Sequence, residues 1–409
     1  MKDKNKDTNI TILWMGRFLT SAGLTGISPF LPLYLEGLGV HDTKALLLWS
    51  SLAVSAPAVS YAICTPFWGK LTDRWSKKWM VIRALFGLGI SIFLMGIAQT
   101  PFQLFLCRLC QGAFGGISDA SAAFVALEVP KNKQGKILGH LQSASSIGLL
   151  AGPLMSGLLA GVWGFSFLLL FTGSLIMMFA FLSVFVLKER ERKKLNHQNT
   201  HRVSAAFHSL FRDRTVRLFI LAGILAKIGD FGIFTIFSPY IKSIVPEQAA
   251  IWVGLLIAAT SMGEIVGSPW WGKRNDSSSV EKNFFFAASL CGLFVLLQAF
   301  TQDVRWLLFI RFLQGFFFSA LIQTVLFFVM QTSRQNSQGV RIGATNSVLV
   351  IGQIIGSFLG SLLAGYLDMP VVFVLMGFVF ISSSILVWYS TLGSKQALFL
   401  NVKPYEKHK

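Results

Sequence analysis

Apolar stretches long enough to cross a lipid bilayer recur along this chain and leave few folds open to it. A hydrocarbon core ~30 Å thick needs about 20 apolar residues, each adding about 1.5 Å of helix. Such stretches fall at 12–35, 47–68, 79–99, 101–127, 137–160 and 165–187. Six more fall at 215–241, 250–271, 283–301, 305–330, 341–366 and 371–392. Charged residues make up only 13% of the chain, where a soluble domain uses about 25%. The expected fold is an all-α polytopic membrane protein with twelve transmembrane helices.

A net charge of +18 invites a nucleic-acid partner, but its distribution argues otherwise. Outside the apolar stretches, lysine and arginine gather in the N-terminus, 70–78, 131–136, 188–217, 273–282, 334–341 and the tail. The intervening loops hold only Lys44, Lys242 and Arg305. That is the positive-inside pattern, with both termini cytoplasmic. It predicts a lipid bilayer as partner and no nucleic acid. The first apolar run has no small-residue cleavage site and is expected to stay as a helix. Cys64, Cys107, Cys110 and Cys291 all sit in apolar stretches, so the lone Cys107-x-x-Cys110 pair reads as packing and not as a metal or redox site. His140 is the only histidine within a span and lacks a visible nucleophile or metal partner, which argues against an enzyme.

The two halves repeat one another. Pro66-Phe67-Trp68-Gly69-Lys70 matches Pro269-Trp270-Trp271-Gly272-Lys273 at an offset of 203. At that same offset Arg108 and Gln111 pair with Arg311 and Gln314, and 147–161 matches 351–365 with one residue inserted. Parallel six-helix repeats are a transporter architecture with the substrate site between the halves. The expected organisation is a six-helix bundle at 1–187, a solvated linker at 188–214, a second bundle at 215–392 and a tail at 393–409.

The loop after the second span reads Gly69-Lys70-Leu71-Thr72-Asp73-Arg74-Trp75-Ser76-Lys77-Lys78. A carboxylate near the start of the next helix suits the positive end of its dipole. This loop resembles the G-x-L-x-D-R-x-G-R-K motif of the major facilitator superfamily, with Ser76 where that family prefers glycine. Arg108-Leu109-Cys110-Gln111-Gly112 resembles the family's R-x-x-Q-G motif. Gly148, Gly152 and Pro153 resemble the antiporter motif of its twelve-helix drug:proton exporters, and the N-terminal half is most like MdtG-type multidrug exporters. The resemblance covers the whole chain. It implies a conformational latch at Gly69, Asp73 and Arg74, and a fifth helix that rocks about its glycine-proline pair.

Ionisable side chains inside spans cost about 2.5–3.5 kcal/mol even on lenient insertion scales and need a reason. Asp119, Asp230 and Glu264, with Arg108, are the proton-coupling candidates. Lys227, Arg311, Gln111 and Gln314 are candidates for the substrate cavity. Arg108 and Asp119, eleven residues apart, would share one face of a continuous helix about 16 Å apart. Lys227 and Asp230 could neutralise each other at a spacing of three, or Asp230 could carry a proton. Glu264 has no partner on its own helix, and Arg17 and Arg83 are expected to snorkel. Gly267 to Arg274 mimics a phosphate loop but lacks its Ser or Thr. No cofactor is expected, and the proton gradient would supply the energy. These readings converge on a monomeric secondary transporter of the bacterial inner (cytoplasmic) membrane. It would export small organic molecules in exchange for protons, as in multidrug efflux. The alternatives are export of an anionic metabolite such as a polycarboxylate siderophore, and proton-coupled import.

Overall fold

The computed structural model describes residues 2–74, 76–129, 131–189, 210–332 and 338–400. The first half contains α1 (Lys2–Ile27), α2 (Leu31–Gly37), α3 (Thr43–Arg74), α4 (Lys77–Gly96), α5 (Pro101–Ala113), α6 (Ile117–Glu128) and α7 (Lys131–Val186). The second contains α8 (Arg214–Ile244), α9 (Ala249–Ser277), α10 (Val280–Gln298), α11 (Val304–Gln331), α12 (Gln338–Ala364) and α13 (Met369–Leu400).

Ten stretches of the described residues are long and apolar enough to cross a membrane. Two features bring the crossings to twelve. The stretch Ile137–Val186 has 50 residues, twice what one crossing needs, and its backbone breaks at Gly164, with φ 82°. Helices α5 and α6, of 13 and 12 residues, are each too short to cross and do so together. The turn between them needs Gly116 at φ 101°, a conformation that only glycine adopts cheaply.

The sequence repeat is a repeat of contacts. Trp68 Nε1 donates to the Ala113 carbonyl at 2.6 Å, and Trp271 Nε1 to the Phe316 carbonyl at 3.0 Å. A Cβ on Gly112 would lie 2.1 Å from the Pro57 carbonyl oxygen, and one on Gly315 lies 2.0 Å from that of Thr260. Each pair is displaced by the same 203 residues. Backbones therefore touch at equivalent crossings in both halves, which only glycine permits.

The halves meet along two seams, α7 against α9 and α3 against α12. At the first, a Cβ on Gly254 would stand 2.5 Å from the Pro153 carbonyl oxygen, and one on Gly157 2.8 Å from that of Ala250. Around the seams Lys242 pairs with Glu36 at 2.5 Å, the Ser238 hydroxyl donates to the Pro29 carbonyl, and Lys44 lies 4.5 Å over the Tyr366 ring. All of these lie at the end remote from the basic loops. Among the described residues no hydrogen bond or ion pair joins the halves at the basic end.

Two expected bounds change, at 188–214 and at the end of the last helix. The break in α7 at Gly164 falls between the expected spans 137–160 and 165–187, and the backbone stays helical through Pro153. The antiporter-motif glycines pack closely, Gly148 and Gly152 lying against the Phe18 and Ala22 carbonyls of α1. The stretch 188–214 is not wholly a solvated linker. Lys188 exchanges two hydrogen bonds with Asn9, and Glu189 accepts from the backbone N–H groups of Lys77 and Lys78 at 2.9 and 3.0 Å and from the Ser76 hydroxyl. A described carboxylate at the start of α4 is thus Glu189, and Ser76, the departure from the family motif, is one of its partners. Helix α13 also runs to Leu400, past the expected end at 392. The side chains of Gly69, Asp73 and Arg74, and residues 190–209, lie outside the described residues.

The α7–α9 seam yields a direct test. Replacing Gly254 with valine should force these backbones apart and unseal the closed end. Spin labels placed in 38–42 and 245–248 should then report a longer distance than in the wild type. An unchanged distance would mean that the seam tolerates the side chain.

Candidate functional site: a charged cavity between the halves

A cavity of about 370 Å³ lies where the two halves face each other, lined by α1, α3, α5 and α7 on one side and α8, α9, α11 and α12 on the other. Five ionisable side chains line it: Arg108, Lys227, Asp230, Glu264 and Arg311. Lys227, Asp230, Phe231 and Phe234 are spaced to share one face of α8, and all four reach the cavity. The opposite face of α8 packs through Gly229 and Gly232 against Phe380 and Met376.

The two arginines are set differently. Arg108, 2% exposed, donates to the Ala53 carbonyl at 2.8 Å, to Gln111 Oε1 at 2.5 Å and to Ser28 Oγ at 3.1 Å. All three nitrogens are used by the protein. Arg311 donates from Nη1 to Gln314 Oε1 at 3.0 Å, stacks 3.7 Å over the Phe237 ring, and leaves a buried Nε without a partner. Lys227 Nζ stands 5.5 and 5.4 Å from the rings of Phe231 and Phe318. Neither Asp230 nor Glu264 forms an ion pair with Lys227 or Arg311 among the described residues. The spacing of three between Lys227 and Asp230 does not close a local pair. Lys227 and Arg311 thus line the cavity without a carboxylate partner among the described residues. With both acids ionised, the five groups carry a formal excess of one positive charge.

Gln111 and Gln314 are not on the cavity wall. Both are 1% exposed and stand behind it, holding the arginines. Phe318, Thr260, Ser261 and Gln353 line the cavity without having been picked out from sequence. The repeat register, which sets Gln353 opposite Leu149, was the signal available for the last of these.

Asp119 lies elsewhere. The break at 114–116 puts it on a different helix from Arg108, so the shared face does not exist. Its Oδ2 accepts from the Tyr61 hydroxyl at 2.5 Å, in a separate cavity of about 240 Å³ within the first half. Arg83 lines that cavity too and does not snorkel: Nη2 donates to the Gly115 carbonyl at 3.1 Å, and the guanidinium lies 3.7 Å over the Trp68 ring. Arg17 is likewise buried. Among the described residues no three His, Cys, Asp or Glu side chains converge as metal ligands would.

The profile of the Major Facilitator Superfamily matches residues 13–245 and again residues 228–406. The chain belongs to that superfamily. It is a multi-pass membrane transporter and not an enzyme. It is 39% identical over 398 residues to the staphyloferrin B transporter of Staphylococcus aureus, covering 95% of this chain and 94% of that one. It is 30% identical to the multidrug resistance protein MdtG of Citrobacter koseri, covering 96% and 97%. Among solved structures it superposes on a bacterial homologue of the human lysosomal transporter Spinster with a TM-score of 0.75 at 13% identity, covering 98% and 99%. The nucleoside transporter NupG gives a TM-score of 0.72 at 15% identity, covering 93% and 98%. These two likenesses concern the fold alone.

Separate cavities make the acids distinguishable. Asp119→Asn should leave the affinity for a transported compound within about two-fold of wild type. Glu264→Gln and Asp230→Asn should change both affinity and its dependence on pH. Titration of the purified protein checks this, and an Asp119 variant that behaved like the other two would unite the cavities functionally.

Proposed function

We propose that the protein exports an anionic, carboxylate-bearing metabolite of the siderophore class across the bacterial cytoplasmic membrane, by alternating access and with linked proton movement. The observation that carries this reading is the pair of cations without a carboxylate partner among the described residues, Lys227 and Arg311, in a cavity whose formal charge is positive. The relative at 39% identity is named for a siderophore, which supports it. The basic end is taken as cytoplasmic, so the cavity would load from inside. One chain builds the whole cavity, consistent with a monomer, and the membrane gradients supply the energy without a cofactor.

In this reading the charges give the coupling its sign. Ionised Asp230 and Glu264 in the same cavity repel an anionic cargo and offset the positive field of Lys227 and Arg311. Protonating them removes that repulsion, so proton and anion bind together. A trianion leaving with one proton still carries two net negative charges, worth about 4.6 kcal/mol at 100 mV. Moving that proton against a pH unit costs ~1.4 kcal/mol. The potential wins.

A second reading, exchange of protons for amphipathic drugs, is supported by the MdtG relatives and by Phe231, Phe234 and Phe318 on the wall. A cationic drug would compete with protons for the same acids, so its coupling has the opposite sign. Comparing metabolites retained by cells with and without the protein identifies the cargo. Binding of that cargo should strengthen several-fold from pH 8 to pH 6, and Glu264→Gln should flatten the dependence. Binding that weakens with acid would replace the first reading by the second.

A further inference from the structure

The α3–α12 seam holds an opening of about 570 Å³, within the roughly 300–1,000 Å³ usual for ligand pockets, and it does not share a lining residue with the charged cavity. Its walls are Leu48 from the first half and Ile354, Ile355, Phe358, Leu359 and Leu362 from the second. Such a groove faces acyl chains, and three features narrow what fills it.

The first is length. Residues 354–364 run about 15 Å along α12, matching the ~15 Å that one leaflet contributes to the hydrocarbon core. The second is the cation at its mouth. Lys44 lines the groove beside Tyr366 and has no carboxylate partner among the described residues. Nearby Asp42 is engaged on the Ala45 backbone N–H at 2.8 Å. The third is an orphaned polar group. Ser361, 4% exposed, lines the groove with a hydroxyl that lacks any hydrogen-bond partner. It sits in the last turn of α12, five residues before Tyr366, and a buried hydroxyl left unpaired is costly.

We propose that this groove binds one anionic phospholipid from the leaflet at the closed end. An acyl chain lies along α12, an ester oxygen accepts from Ser361, and the phosphate rests on Lys44. The ordering of apolar trough, buried hydroxyl and terminal cation matches the ordering of chain, ester and phosphate in such a lipid. Because the walls come from both halves at a seam that alternating access must open, the bound lipid favours the arrangement seen here. The site is independent of what the central cavity carries.

Native mass spectrometry of the full chain, released from nanodiscs of equal phosphatidylglycerol and phosphatidylcholine content, tests this. Wild type should retain one lipid, with phosphatidylglycerol preferred about five-fold, as expected from one basic residue near a bilayer surface at ~1 kcal/mol. Leu48→Trp, which fills the trough, should lose the retained lipid whatever its headgroup. Lys44→Gln should keep the lipid but bring the preference close to parity. Ile355→Trp fills the trough from the other wall and replaces Leu48→Trp if that variant does not fold. Retention unchanged by trough filling, or a preference unchanged in Lys44→Gln, would reduce the groove to ordinary annular contact and overturn the proposal.

Discussion

A guanidinium far from the bilayer surface must find its hydrogen bonds in protein, and in this chain one answer serves twice. Arg108 and Arg311 are each held by a glutamine three residues on, one turn along the same helix. The glycine after each glutamine brings a neighbouring backbone into contact, α3 in one half and α9 in the other. Arginine, glutamine and glycine thus form a unit that satisfies a charge and fixes a helix crossing together. Two such units, one per half, define where the halves face each other and what chemistry they present there.

The halves share that scaffold but not its decoration. At an offset of 203, Glu264 stands where the first half has Tyr61, Ile322 where it has Asp119, and Phe286 where it has Arg83. The first half therefore keeps its polar cluster around the α5–α6 turn, away from the cavity. The second half delivers Lys227, Asp230, Glu264 and the less committed arginine into it. Charge at the candidate site comes mostly from one repeat, and much of the opposing wall, including Val54, Pro57 and Leu149, is apolar.

The crossings and the repeat were legible because both depend on local pattern: twenty apolar residues in a row, or Trp-Gly-Lys recurring in register. The gathering of Arg108, Lys227, Asp230, Glu264 and Arg311 was legible because charge inside a span needs a shared polar setting. Contacts that depend on a backbone break or on distant sequence were not. Reading 101–127 as one unbroken helix placed Asp119 with Arg108, although Gly115-Gly116 marked the turn. Local sequence points to a snorkelling Arg83, because its partners, Trp68 and the Gly115 carbonyl, come from outside its own helix. Spacing alone put Lys227 and Asp230 on one face, but the ammonium turns toward the aromatic rings. Glu189 meets Lys77 from 112 residues away, beyond the reach of any local rule.

Glu189 has a counterpart at the other end of the connection between the halves. Asp213 accepts from the backbone N–H groups of Thr215 and Val216 at 2.8 and 3.3 Å, capping α8 as Glu189 caps α4. Each described end of the connection is thus held to its bundle by a carboxylate on a helix start. Each bundle therefore carries its own end of the connection with it when it moves, because the carboxylate and the helix it caps move as one piece.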